Sequence, residues 1–211
     1  MAITFPSTSH ATSSTVPAPS GIVNGSVLVA AALGVSGSAI AVPSGWTQIA
    51  QPNAGTSRLG VFYKVISDAS SEPANYAFTG WAAVTIARAE GVLTADVIDG
   101  TPVTGVNNTK PLDIVGPTTS VDGAAVLTAG YVTNPTISVT GEPEIVTDSG
   151  IVGFFGAIQD TAGDSGTKSI TSSGSVTSAL GVVFALTPVP EPEPTIRITG
   201  TISIDLAIGI G

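Results

Sequence analysis

The sequence predicts an all-β fold: a jelly-roll-like antiparallel β-sandwich carrying an extended C-terminal strand after a proline-rich spacer. Composition is the first reason. Hydrophobic residues make up 43% of the chain and charged residues only 10%, with 25 glycines and 15 prolines. The apolar share is mostly Ala, Val and Ile, which suits short strands and frequent turns, and the Leu, Glu, Lys and Arg that build helices are scarce. The second reason is a series of apolar segments set at short intervals between Gly, Pro, Asn and Asp. The third is that this series occurs twice.

The first series runs through five strands. GSVLVAAALGV (25–35) predicts a buried strand, PSGWTQIA (43–50) a turn leading into a strand at Trp46, and SRLGVFYKVIS (57–67) a further strand. After the loop DASSEP (68–73) come a short strand in NYAFT (75–79) and a last one in WAAVTIARAEGV (81–92), on which Ala82, Val84, Ile86 and Arg88 are expected to share a face. A softer region, 94–121, holds two short candidates at 101–104 and 112–115. The pattern then returns: GAAVLTAGYVT (123–133), PEIVTD (143–148), GIVGFFGAIQD (150–160), GTKSIT (166–171) and SALGVVFALTP (178–188). Matching segments lie about 92–99 residues apart, the mark of an internal duplication. Two similar halves of five strands predict paired sheets in one sandwich, with a stack of two immunoglobulin-like units as the alternative. The aromatic residues Trp46, Phe62, Tyr76, Phe78, Phe154, Phe155 and Phe184 are expected in the core.

Four regions follow: an N-terminal arm or edge strand (1–20), the sandwich body (21–187), a Pro/Glu spacer (188–195) and a C-terminal assembly strand (196–211). The last reads IRITGTISIDLAIGIG, with Ile196, Ile198, Ile202, Ile204, Leu206, Ile208 and Ile210 at even positions and Arg197, Thr199, Thr201, Ser203 and Asp205 at odd ones. A period of two is a strand with one apolar face. At about 3.3 Å per residue it would be roughly 50 Å long, and alone it leaves its ladder groups and its isoleucine face unpaired. It therefore needs a partner. The spacer PVPEPEP before it is stiff and extended, and its prolines have no N–H to donate.

The chemistry of the remaining residues is thin. Fifteen acids against six bases give a formal net charge of −9, the wrong sign for a nucleic-acid surface. No nucleic-acid partner is expected. The chain has no cysteine, so disulfides, thiolate catalysis and cysteine metal sites are out. Its opening residues MAITFPSTSH lack a basic and an apolar segment, so no secretory leader is expected, and no membrane insertion follows from a mean hydropathy of +0.46 carried by Ala, Val and Ile. The single histidine, His10, falls in the polar N-terminal region, away from any partner for a catalytic triad. Most of the acids sit in loops beside Pro, Gly or Ser as turn residues. DTAGDSG (160–166) and ADVIDG (95–100) each hold two aspartates near a glycine but lack the spacing of a twelve-residue calcium loop. NGS (24–26) and NNT (107–109) match the glycosylation acceptor pattern, which carries weight only in a secreted chain. The sequence predicts no enzyme, no cofactor and no metal. Trp46 and Trp81 stand at strand entrances, where an exposed ring would stack on a sugar and a buried one would plug the core; they are the candidate glycan contacts of a carbohydrate-binding adhesin.

PSGWTQIA, RLGVFYKV, SEPANYAFTGWAAVTIARAEGV and the closing SALGVVFALTP together resemble β-sandwich virion proteins of actinobacteria-infecting bacteriophages, of the minor tail protein type. The resemblance covers residues 25–187 and rests on a Gly-Trp-Thr turn, a Tyr-Lys-Val strand and a Glu-Pro-Ala-x-Tyr-x-Phe-Thr loop in order. It departs at ARAEGV and in the short tail. It implies a structural virion component assembled in the host cytoplasm, with other virion proteins and copies of itself as partners and a host-surface glycan as a candidate ligand. The tail strand then pairs in a homo-oligomer, a trimer being the arrangement that buries three isoleucine faces in one prism, or it adds to another protein's sheet edge. Folding back on its own sandwich is the third arrangement. A capsid decoration protein anchored by a terminal tail is the alternative within the same class.

Overall fold

The computed structural model describes residues 2–35, 39–133, 136–148 and 150–191. The first half supplies β1 (Thr4–Ala11), β2 (Thr15–Pro17), β3 (Val27–Val35), β4 (Thr47–Ala50), β5 (Asn53–Ala54), β6 (Ser57–Val65), β7 (Asn75–Ala77) and β8 (Ala83–Glu90). The second supplies β9 (Ile98–Asn107), β10 (Leu112–Val115), β11 (Thr118–Thr119), β12 (Ala124–Val132), β13 (Ile137–Val139), β14 (Glu144–Asp148), β15 (Val152–Gln159), β16 (Gly163–Asp164), β17 (Thr167–Ser172) and β18 (Ala179–Leu186). The fold is all-β, and among the described residues every strand pair is antiparallel.

Each half builds its own large sheet, in the order β1-β8-β3-β6-β4 and β9-β18-β12-β15-β14. The two orders are the same order read twice. Ala30 lies between Phe62 and Ile86 in the first sheet as Thr128 lies between Phe155 and Val183 in the second. Smaller sheets, β2-β7 in one half and β10-β17-β13 in the other, accompany them. The pairs β1·β8, β2·β7 and β3·β6 thus nest like the turns of a rolled hairpin, and so do β9·β18, β10·β17 and β12·β15.

The layers follow from side-chain alternation. On β3, Val27, Val29, Ala31 and Leu33 enter a central core shared with Ala125, Leu127 and Ala129 of β12 and Leu180, Val182 and Phe184 of β18. The intervening Leu28, Ala30 and Ala32 point the other way, under Trp46, Tyr76 and Phe78. In the second half, Val126 and Val183 pack with Leu112, Ile114, Ile137 and Ile170 from the small sheet. The two large sheets therefore meet face to face, and a small sheet covers the outer side of each. Burial on both faces explains why 25–35 and 178–188 read as continuous apolar runs.

Glycines set how closely the layers approach. A Cβ on Gly60 would lie 2.3 Å from the Trp81 ring, and one on Gly181 would lie 2.4 Å from both Ile114 and Ile170. Both positions admit only a hydrogen.

Of the two readings of the N-terminal region, an arm or an edge strand, the described residues take the second: β1 is the edge strand of the first large sheet and β2 is half of its small sheet. Other expectations are corrected. The soft stretch around 101–104 is the middle of a ten-residue strand, β9, whose polar, half-exposed residues hide its length. Ala82 is exposed and precedes β8, so the expected shared face is carried by Val84, Ile86 and Arg88 alone, opposite Ala32, Ala30 and Leu28 of β3, while Ala83, Ala87 and Ala89 bury the other face in the central core. Pro188 and Val189, expected to begin the spacer, still pair with the body: Pro188 bridges Val92, and the Val189 N–H donates to Gly91 O at 2.8 Å. The seven tail positions Ile196, Ile198, Ile202, Ile204, Leu206, Ile208 and Ile210 lie outside the described residues.

Candidate assembly interface

The two tryptophans enter the body through similar turns. Trp46 N–H donates to Pro43 O at 3.1 Å after Gly45 at φ +78, and Trp81 N–H donates to Phe78 O at 3.0 Å after Gly80 at φ +88. The left-handed backbone that each glycine supplies turns the chain sharply into the core. Trp46 stands edge-on to Tyr76 at 5.5 Å and tilted against Phe78 at 5.1 Å; Trp81 meets Phe62 edge-on at 5.4 Å. Trp46 is 7% exposed and Trp81 3%. Rings so covered present no face for a sugar to stack on, and the glycan-contact expectation for Trp46 and Trp81 is corrected to core packing.

The charged groups are used locally. Lys64 Nζ pairs with Glu72 Oε2 at 2.6 Å, and the Tyr76 hydroxyl donates to the same oxygen at 2.9 Å. Lys168 pairs with Glu142 at 2.8 Å, and Thr128 Oγ1 donates to the other Glu142 oxygen at 2.8 Å. Arg88 pairs with Glu90 at 2.8 Å, donates from Nε to Ser7 Oγ at 3.1 Å and donates to Gly21 O, tying β1 and the loop after β2 to β8. Three aspartates accept backbone donors: Asp99 of β9 from Ser120 N–H at 2.9 Å, Asp122 from Ala162 N–H at 2.7 Å and Asp164 of β16 from Gly166 N–H at 2.9 Å. Among the described residues no three His, Cys, Asp or Glu side chains gather where they could hold a metal ion. His10 lies exposed on β1.

Burial and, after it, the neighbouring Glu72 carboxylate push the Tyr76 hydroxyl well above the usual tyrosine range. A raised folded-state value means that the unfolded chain loses this proton first, so the contribution is intact below about pH 10, where free tyrosine titrates, and is lost as pH rises further. Urea unfolding between pH 9 and 11 should show stability falling with pH, and Tyr76→Phe should flatten that fall. An identical slope in the variant would contradict the assignment.

A concavity lies where the chain leaves the body. It is a groove of ≈ 530 Å³ with an apolar floor that includes Leu93, Val121, Ile158 and Val189. Asp122, Asp160 and Glu191 give it an acidic rim. Ile158 is 38% exposed and Val189 37%. Sequence reasoning missed these residues because they come from strand ends and linkers of both halves. Only the duplication, which sets residues 91–97 beside 187–191, was a signal for them. The groove is thus an apolar landing beside the root of the tail.

Compared with family models, with curated proteins and with solved structures, the chain finds no match in any of the three.

Proposed function

We propose that this chain is a non-enzymatic bacteriophage virion protein, a minor tail or fibre-associated module whose body is a pair of small jelly rolls and whose C-terminal strand is its attachment device. The observation that carries the reading is the exit: the chain leaves a body with both large sheets covered, beside an open apolar groove, and continues into a stretch with isoleucine or leucine at alternate positions. An apolar face of that kind is stable only against a partner. A further support is that the motif residues behind the virion resemblance meet in one place. Trp46, Lys64, Glu72, Tyr76 and Phe78 form a single cluster of ring contacts, an ion pair and a shared carboxylate under one small sheet. They hold the fold and leave attachment to the tail.

The test is location. In particles made from the genome that encodes the chain, separated into heads and tails, an antibody to the body should label the tail fraction. Label confined to heads would replace the tail reading with the capsid decoration protein, and absence from particles would end both.

A further inference from the structure

Asn24 and Gly25 are the one Asn-Gly pair in the chain. In such a pair the backbone nitrogen of the second residue can attack the side-chain amide carbon of the first, because glycine has no side chain to obstruct the approach. The bond to the side-chain nitrogen breaks, ammonia leaves with the proton of the attacking N–H, and a succinimide ring remains. Water then opens the ring at either carbonyl and gives aspartate or isoaspartate. The reaction needs no oxidant, metal or enzyme.

The fold engages both reacting groups, and it does so with one segment. Gly25 N–H donates to Ile66 O at 2.8 Å, and Asn24 Oδ1 accepts from Ala69 N–H at 2.7 Å. Ile66 N–H returns a bond to Ser26 O at 2.9 Å, and Ser26 N–H donates to Val23 O at 3.0 Å, which fixes the turn around the pair. Residues 66–69 therefore hold the attacking nitrogen and the amide it would attack in separate hydrogen bonds. Gly25 has a φ of +87, which glycine adopts without steric conflict. The turn thus accounts for the glycine. The bond to Ala69 uses the Asn24 carbonyl oxygen, an acceptor that an aspartate would supply as well.

We propose that Asn24 is a fold-gated modification site: its amide is preserved while residues 66–69 hold it and Gly25, and it converts to aspartate and isoaspartate when that segment opens. The gate sits where the β3–β6 ladder begins, at Val27 opposite Val65. Isoaspartate routes the backbone through the side-chain carbons and lengthens it, so the bonds to Ile66 and Ala69 no longer fit together. An opening that lasts long enough for the reaction is recorded permanently.

The rates are compared in the whole chain, with conversion of amide to acid read by mass and placed at Asn24 by fragmentation. At mildly alkaline pH the folded chain should convert at least about tenfold more slowly than the same chain in urea. Ala69→Pro removes the donor to Asn24 at a place that suits proline: Asp68 is extended, with φ −140 and ψ 97, and Ala69 is the first residue of a 3-10 turn. The folded variant should convert about fivefold faster than the parent, the effect of one lost hydrogen bond. Asn24→Asp should abolish the mass change at this position, and its persistence there overturns the site. Equal rates in the folded and the urea-unfolded parent overturn the proposal, and so does a rate in Ala69→Pro no higher than the parent's. If Ala69→Pro fails to fold, hydrogen exchange in the parent decides: the amides of Gly25 and Ala69 should be protected, and free exchange at either overturns the gate.

Discussion

Phe62→Ala should destabilise the body by about 3–5 kcal/mol, the range for truncating a fully buried phenylalanine. Phe62 is wholly buried at the centre of the first outer core, 5.4 Å from the Trp81 ring and 6.2 Å from Phe78. Its neighbours cannot collapse into the space. Gly60 carries no side chain, and the Trp81 ring is held by the turn at Gly80 and by the close passage of Gly60. For a chain of this size the loss should lower the thermal midpoint by about 10 °C or more. Val35→Ala, at a position 70% exposed, should stay within about 0.5 kcal/mol. Urea unfolding of the two variants checks the difference, and similar midpoints would contradict the layered core.

Removing residues 192–211 should act in the opposite way, leaving stability alone and abolishing attachment. The described body closes without them. Thr187 N–H donates to Val97 O at 3.0 Å and Val189 N–H to Gly91 O at 2.8 Å, so the last strand is tied off before residue 192. The truncated chain should unfold within about 1 kcal/mol of the parent yet be missing from purified particles. What it loses is an unpartnered apolar face, worth roughly 25 cal/mol per Å² once buried. Incorporation of the truncated chain at the normal level would remove the tail from the account.

The strands of the body were legible because both faces of each large sheet are covered. Continuous runs such as 25–35 and 178–188, rich in Val and Ala and bounded by Gly, Pro and Ser, fit strands covered on both sides, and the echo of one half in the other pointed to like sheets. What covers the outer faces was not legible. The small sheets are short, and residues such as Tyr76 and Ile170 do not reveal in sequence which large sheet they lie on. The same holds for the tryptophans: a strand-entry turn fits a buried and an exposed ring equally, and the answer comes from Tyr76, Phe78 and Phe62, distant in sequence from at least one of them. β9 was cut short because an edge strand carries Thr, Pro and Asn where a central strand carries Val. The exit groove was invisible for a related reason, since it forms only when the linkers of the two halves pair.

The most direct measurement of the central claim is incorporation of Ile204→Asp against Ser203→Asp, two neighbouring changes that add the same charge to opposite faces of a period-two stretch. Quantified as copies per purified particle, Ser203→Asp should match the parent and Ile204→Asp should fall to the level of the chain lacking 192–211. Equal incorporation of the two would contradict attachment through a one-faced strand.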